Sequence, residues 1–174
     1  MRKLYLALLF SIFTFSVSWA QKGHQISVAI LGDSYSTFEG YITPDTNEPW
    51  YFSTRLQKDN DVTRVEQTWW HQLIKRNGWK LCTNNSYSGS TISSSGYRGE
   101  DYTPRSFVTR APNLGNPDII FIFGATNDSW VPSPIGEYKY SDWTTEDLKS
   151  FRPSLAKLLD YMTHRYLNVQ MYFI

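Results

Sequence analysis

The stretch Ile30-Leu31-Gly32-Asp33-Ser34 closes an apolar run that begins at Gln25. A short apolar run bounded by a turn signal predicts a buried strand, and Gly-Asp-Ser is typical of a turn. Such a turn would hold the hydroxyl of Ser34 at the edge of a sheet. A serine hydroxyl is a weak nucleophile until a base takes its proton and fixed donors receive the charge that develops. Ser34 is therefore a candidate nucleophile, although Gly-Asp-Ser by itself also fits an ordinary turn or helix cap.

The apolar pattern along the chain predicts an α/β fold. Residues 25–31, 80–84, 118–123 and 168–174 are predicted as four buried strands, and residues 69–76 and 144–167 as helices between them. The second helix opens with a capping pattern at Thr144, and we expect Pro153 to kink or restart it. Alternating strands and helices favour one parallel sheet covered by helices on both faces. In such sheets, functional sites lie beyond the carboxyl ends of the strands.

The N-terminus has the pattern of an export signal. Two basic residues precede an almost wholly apolar run, and Ser18-Trp19-Ala20 ends on small residues that suit cleavage. The run is shorter than the roughly 20 residues that span a bilayer. We therefore predict a signal peptide over residues 1–20 and one domain over residues 21–174, secreted or periplasmic and with no membrane contact after cleavage.

Charge and cysteine content exclude several classes of function. Without residues 1–20 the chain has 15 basic against 16 acidic side chains and no basic run, which argues against a nucleic-acid partner. The single cysteine, Cys82, cannot form an internal disulfide. It lies in a predicted buried strand, so we expect a small core residue rather than a reactive thiol. No cluster of carboxylates or histidines suggests a metal, and we expect no cofactor.

Two further motifs follow predicted strands. Residues 84–90 read Asn-Asn-Ser-Tyr-Ser-Gly-Ser after the second strand, and residues 123–128 read Phe-Gly-Ala-Thr-Asn-Asp after the third. Gly89 can bring its backbone N–H close to a ligand because it has no side chain, and Asn127 can offer a side-chain amide. Together with the N–H of Ser34, these donors could form an oxyanion hole.

These three motifs, in this order, resemble the blocks of the SGNH (GDSL-type) hydrolase superfamily of esterases and lipases. The resemblance covers the chain from about residue 25 to residue 128. It implies a three-layer α/β/α sandwich with a central parallel sheet of flavodoxin-like order. It also implies that Ser34 is the nucleophile and that Ser34, Gly89 and Asn127 are the oxyanion donors. One departure is that the third block usually reads Gly-x-Asn-Asp, whereas Ala125 holds the glycine position here and Gly124 precedes it.

The second departure concerns the general base. The family's base is a histidine in an Asp-x-x-His motif after a fifth strand, and residues 1–174 contain no such motif. His24 precedes the first strand, His71 lies on a predicted flanking helix, and His164 forms an i, i+4 helix-surface pair with Asp160. We therefore expect a further segment, with the last strand, a last helix and the catalytic Asp and His, to follow Ile174.

The two long predicted loops, 39–67 and 87–117, are rich in aromatic residues that could line a groove for an extended ligand, or close small satellite cores. These residues are Tyr41, Trp50, Tyr51, Phe52, Tyr97, Tyr102 and Phe107. The leading hypothesis is a secreted serine esterase acting on a small-molecule or glycan ester, for example a carbohydrate O-deacetylase. The alternative is a non-catalytic carbohydrate-binding module on the same scaffold.

Overall fold

The computed structural model describes residues 23–54 and 60–174, and the predicted signal peptide lies outside them. Four strands form one sheet: β1 (Ser27–Gly32), β2 (Lys80–Asn84), β3 (Ile119–Phe123) and β4 (Gln170–Phe173). The sheet order is β2-β1-β3-β4, and all three pairs of neighbouring strands are parallel. This confirms the predicted parallel sheet, and its order is that of the first four strands of a flavodoxin-like fold.

Four α-helices accompany the sheet within the described part of the chain. They are α1 (Trp69–Asn77), α2 (Phe107–Arg110), α3 (Thr126–Trp130) and α4 (Phe151–Arg165). Helix α1 ends as predicted, because Gly78 adopts a left-handed conformation with φ 66° and its N–H caps the last turn. None of the helices in residues 23–54 and 60–174 is long and apolar enough to cross a bilayer.

The sheet separates two hydrophobic clusters, which makes the molecule three-layered. Alternate residues of β1 point to opposite faces, as the pleat of a strand requires. Ala29 and Leu31 face a cluster with Phe107 of α2 and Leu158 and Met162 of α4. On the other face, the side chains of β1 and β3 pack with α1 and the loop after β1, through Val28, Ile30, Phe38, Trp70, Ile74, Ile119 and Phe121.

Two of the four strands are not buried as predicted. In β2, Lys80 and Cys82 are exposed, and in β4 only Met171 is even partly buried. The reason is the strand order, which leaves β2 and β4 at the two edges of the described sheet. The prediction that Cys82 is a core residue was therefore wrong. Its sulfur lies 3.8 Å from the carbonyl oxygen of Leu114, at the side of the sheet.

The predicted helix over residues 144–167 is shorter than expected. The α-helix begins at Phe151, and residues 147–149 form a separate 3₁₀ turn that Ser150 breaks with an extended backbone. The capping pattern at Thr144 acts on this turn, because the Asp147 carboxylate accepts hydrogen bonds from the Thr144 N–H and hydroxyl at 2.7 and 2.6 Å. Pro153 lies in the first turn of α4, where a missing N–H costs nothing. It therefore restarts the helix and does not kink it.

The aromatic residues of the long loops are mainly structural. Tyr51, Phe52, Tyr102 and Phe107 are buried, Trp50 packs against the cluster around α1, and only Tyr41 and Tyr97 are exposed. They close satellite cores, which was one of the two interpretations of the sequence. Of the seven aromatic side chains, only Tyr41 and Tyr97 are exposed enough to line a groove for an extended ligand.

Gly32, the last residue of β1, lies where a side chain cannot fit. A Cβ atom built there would lie 2.4 Å from Cβ of Ser36 and 2.7 Å from Oγ of Ser86. The glycine thus lets the turn after β1 and the loop after β2 pack on each other.

We expect Gly32→Ala to lower the free energy of unfolding by about 1–3 kcal/mol, because both neighbours belong to buried, closely packed turns. Urea denaturation would measure the effect. Gly23→Ala is the matched control, since a Cβ at Gly23 would have nothing within 4 Å. Equal stability of the Gly32 and Gly23 variants would contradict this account of the packing.

Candidate active site

Ser34 opens a short 3₁₀ turn, Ser34–Ser36, directly beyond the carboxyl end of β1. The turn is well anchored. Its cap, Asp33, is buried, donates its N–H to the carbonyl of Phe123 at 3.2 Å, and accepts the N–H of Tyr35 on Oδ1 at 3.0 Å. The carbonyl of Ser34 accepts the N–H and the hydroxyl of Thr37. Ser34 itself is half-buried, and its hydroxyl forms no hydrogen bond with the described residues.

The loop after β2 packs against this turn. The N–H of Asn85 donates to the carbonyl of Ile30 at 2.8 Å, and the N–H of Tyr87 donates to the carbonyl of Gly32 at 3.1 Å. Gly89 follows with a φ of +74°, a conformation that side chains rarely adopt. Glycine adopts this conformation without the strain that a side chain would bring.

The third element is α3, which carries Asn127 beyond the end of β3. Asn127 is buried, and its Nδ2 donates to the carbonyl of Ser90 at 2.9 Å. A primary amide has two N–H donors, so this bond orients the group while the second hydrogen remains available. Since Gly89 directly precedes Ser90, the structure links Asn127 to the Gly89 loop, and Gly32 links that loop to the Ser34 turn. All three predicted site residues lie at the same edge of the sheet.

Ala125 holds the left-handed conformation at the start of α3, with a φ of 85°. This is the position at which the family motif has glycine. Gly124 cannot exchange places with it, because a Cβ at Gly124 would lie 2.4 Å from Cζ of Phe107. The chain therefore keeps the turn that presents Asn127 and accepts an alanine in a strained conformation.

Asp128 is a residue of the candidate site whose contacts the sequence did not indicate. Its buried carboxylate accepts the N–H groups of Ile92 and Ser93, at 2.7 and 3.0 Å, and the hydroxyl of Ser93 at 2.8 Å. It thereby fixes the chain just after Ser90 to α3. The residue type at this position was visible in the motif, but its backbone partners were not.

Arg110 was also missed. It is 4 % exposed, lies at the end of α2 and donates to backbone carbonyls of Gly32, Asn85 and Arg105 and to the hydroxyl of Ser90. Burial lowers the pKa of its guanidinium to about 9, against the opposing effect of the charge on Asp33. No nearby motif in the sequence signals this role, because most of its acceptors are main-chain atoms.

Burial raises the pKa of Asp33 from 3.8 to about 6, and the cation of Arg110 and the N–H of Tyr35 only partly offset it. The charge of Asp128 raises it further, and Oδ2 of Asp33 has no hydrogen-bond partner in the described structure. A folded-state pKa above the unfolded value means that the folded state holds the proton more tightly. Its contribution to stability is therefore complete below about pH 4 and is lost as the pH rises through about 6.

Because one pKa unit corresponds to about 1.4 kcal/mol, this carboxyl is expected to reduce stability by up to roughly 3 kcal/mol between pH 4 and pH 7. Asp33→Asn cannot lose a proton and lacks that reduction. We expect the stability of the variant relative to the wild type to rise by about this amount between the two pH values. Urea denaturation at pH 4 and pH 7 measures it, and an unchanged difference would show that Asp33 does not titrate in this range.

None of the three histidines is joined to this edge of the sheet by a hydrogen bond. His24 bonds Asp118 at 2.8 Å before the start of β3, at the opposite end of the sheet. His71 lies on α1 beside the ring of Trp70. His164 and Asp160 are both exposed on α4 and 3.4 Å apart, which confirms the predicted surface pair. Among the described residues, no group of three or more His, Cys, Asp or Glu side chains could hold a metal ion.

The model of one protein family, GDSL-like Lipase/Acylhydrolase, matches residues 26–174 of this chain. The chain belongs to this family. A crystal structure of a GDSL-like lipase-type protein from Bacteroides ovatus shares 60% sequence identity with it, with a TM-score of 0.83, over 86% of this chain and 72% of that chain. A second, from Bacteroides uniformis, shares 51% identity with a TM-score of 0.84, over 87% and 71%.

A more distant structure from Lactobacillus plantarum, at 21% identity and a TM-score of 0.56 over 86% of this chain and 55% of that chain, shows the fold alone. No match was found among curated proteins. The GDSL-like family membership confirms the resemblance seen in the three sequence motifs. It also supports hydrolase activity as the general class of function.

Proposed function

We propose that this protein is a secreted serine esterase that uses Ser34 as its nucleophile. The observation that carries the proposal is the unbonded hydroxyl of Ser34 in a turn that main-chain hydrogen bonds hold against the Gly89 loop. That hydroxyl lies at the same sheet edge as the amide of Asn127. A free nucleophile beside convergent N–H donors is what acyl transfer requires.

In the proposed reaction, Oγ of Ser34 bonds to the carbonyl carbon of the ester while a base takes its proton. The carbonyl electron pair moves to the oxygen, which the N–H groups of Ser34, Gly89 and Asn127 stabilise. Collapse of this intermediate expels the alcohol, which leaves with a proton, and water then cleaves the acyl-enzyme in the same way. We assign the base to none of His24, His71 and His164, whose contacts lie elsewhere.

A hydrophilic ester, such as an O-acetylated sugar, is the substrate class that we propose. A cavity of about 610 Å³ is lined in part by Val131 and Pro132, which follow α3 and lie four and five residues beyond Asn127 in the chain. Seven of its twelve lining residues have polar side chains, among them Ser94, Ser95, Glu100, Asp101, Thr145 and Lys149. Hydroxyls and carboxylates of this kind can hydrogen-bond a polyhydroxylated alcohol but offer little to an acyl chain of a lipid.

The test is made on the full-length protein with p-nitrophenyl acetate and with an acetylated oligosaccharide. We expect hydrolysis of both, and stoichiometric labelling by a fluorophosphonate on the peptide that contains Ser34. Labelling of a different residue, with hydrolysis intact, would overturn the nucleophile. Hydrolysis of long-chain p-nitrophenyl esters in preference to the acetyl sugar would overturn the substrate class.

A second candidate is carbohydrate binding without catalysis. It is favoured by one exposed aromatic pair, Tyr138 and Tyr140. Their stacked rings have centroids 6.2 Å apart, and the two residues are 67% and 72% exposed. The guanidinium of Arg152 lies 4.4 Å from the ring of Tyr138. Oligosaccharide binding that is lost in Tyr138→Ala, in a protein that neither hydrolyses esters nor reacts with the fluorophosphonate, would favour this candidate over the esterase.

A further inference from the structure

The guanidinium of Arg110 is a buried cation without an ion-pair partner within 4 Å in the part of the chain that the structure describes. Burial of a charge is costly unless hydrogen bonds satisfy it. Three of the guanidinium's nitrogen atoms donate to four acceptors, which lie in three different segments of the chain. We therefore expect the buried guanidinium to hold these acceptors in position relative to one another.

Each acceptor belongs to the candidate active site, apart from the carbonyl of Arg105, which lies in the turn just before α2. Nη2 donates to the carbonyl of Gly32 at 3.2 Å, two residues before Ser34, and to the hydroxyl of Ser90 at 2.9 Å, one residue after Gly89. Nη1 donates to the carbonyl of Asn85, where the loop after β2 begins.

The hydrogen bonds continue from these acceptors to the remaining site groups. The carbonyl of Gly32 also accepts the N–H of Tyr87, and the carbonyl of Ser90 accepts the amide of Asn127. One guanidinium therefore touches both chain segments whose relative position sets the distance between Ser34 and the Gly89 N–H. Through Ser90 it also acts on the third donor, Asn127.

We propose that Arg110 is a positioning residue, which holds the Ser34 turn and the Gly89 loop in register so that the oxyanion donors converge on the reacting carbonyl. The inference rests on the proposed esterase function. Arg110 contacts no substrate in this account, and it acts only through Gly32, Asn85 and Ser90.

The geometry of arginine explains why no other residue would serve. Its planar fork has five N–H donors at fixed angles, whereas lysine has a single flexible ammonium group. Two further contacts fix the guanidinium. The ring of Phe107 lies 4.8 Å from it, and Nε donates a hydrogen bond to the carbonyl of Arg105. Arg110→Lys therefore keeps the charge and loses the simultaneous contacts with the two segments.

The test compares Arg110→Lys and Arg110→Met with wild type in the full-length protein. A misplacement of about 1 Å can cost roughly 10²-fold in rate, so we expect kcat for p-nitrophenyl acetate to fall by about that factor. We expect KM to stay close to the wild-type value, because the lost interaction matters only in the transition state. The lysine variant should be no better than the methionine variant.

Two controls separate positioning from loss of stability. Ile74→Ala removes a buried side chain of α1 on the opposite face of the sheet, and Arg165→Met removes another arginine that lies over an aromatic ring, at the end of α4. Both should keep the wild-type kcat at temperatures where they are folded. If the Arg110 variants do not accumulate as folded protein, Ser90→Ala removes one acceptor of the same guanidinium and should lower kcat in the same way.

Hydrogen exchange gives a readout that does not depend on activity. In the Arg110 variants, amides of residues 85–90 should exchange faster, while those of β3 should not change. Unchanged exchange and unchanged kcat in folded variants would overturn the inference. A wild type without Ser34-dependent hydrolysis would instead overturn the proposed function and the catalytic role of Arg110 with it, and the exchange result would still decide whether Arg110 holds the loop.

Discussion

Replacing Ser34 with alanine is expected to lower kcat for p-nitrophenyl acetate by a factor on the order of 10⁶, the loss found when a serine hydrolase is deprived of its nucleophile. The variant can no longer form an acyl-enzyme, and only direct attack by water on the bound ester remains. Steady-state hydrolysis by the full-length protein measures this. A parallel fluorophosphonate reaction, read by intact mass, should show no label on Ser34→Ala.

Folding should be unaffected by this substitution, which makes the result interpretable. The hydroxyl of Ser34 has no hydrogen-bond partner among the described residues, so we expect the free energy of unfolding to change by less than about 0.5 kcal/mol. Ser141→Ala is the matched control, since Ser141 is exposed and bonds only the neighbouring Asp142. Hydrolysis that survives in Ser34→Ala at the wild-type rate would move the nucleophile to another residue.

The sheet could be predicted because its signals are local. Short apolar runs identified all four strands, and Asn77-Gly78 marked the end of α1 by a conformation that glycine readily adopts. The order of the strands in the sheet, by contrast, is not set by the local sequence. The exposure of Cys82 follows from the edge position of β2, and apolar composition alone did not separate an edge strand from a central one. The start of α4 was misplaced for a related reason, because Thr144 caps a 3₁₀ turn with the same residue types that cap an α-helix.

The placement of the candidate site residues was predictable where side-chain chemistry coincides with a strand end. Ser34 and Asn127 are such residues, and Gly89 was recognised because it lacks a side chain. Arg110 and Asp128 were missed because their partners are mainly backbone carbonyls and N–H groups. A sequence shows pairs of side chains, but it does not show which main-chain atoms a fold brings to a buried charge. These two residues nevertheless form hydrogen bonds with the loops that carry the predicted groups.

Replacing Asn127 with alanine is expected to lower kcat by about 10²–10³-fold, the loss typical of removing one oxyanion donor. KM should change little, since the developing negative charge exists in the transition state and not in the bound ester. The bond from Nδ2 to the carbonyl of Ser90 is lost as well, so part of the effect would come from a looser Gly89 loop. Asn127→Asp is a more severe test of this donor. The variant keeps the shape of the side chain, loses the N–H donor and places a carboxylate near the oxyanion.

A tetrahedral transition-state analogue distinguishes stabilisation of the oxyanion from general damage to the site. A trifluoromethyl ketone that adds to Ser34 carries the same negative oxygen, so its inhibition constant should rise in Asn127→Ala by about the factor that kcat loses. Asn77→Ala, which removes an exposed amide bonded to the carbonyl of Leu73 at the end of α1, should change neither quantity. If KM rises in Asn127→Ala while kcat and the inhibition constant stay constant, Asn127 binds the ground state of the substrate, and the donors of the oxyanion hole reduce to the N–H groups of Ser34 and Gly89.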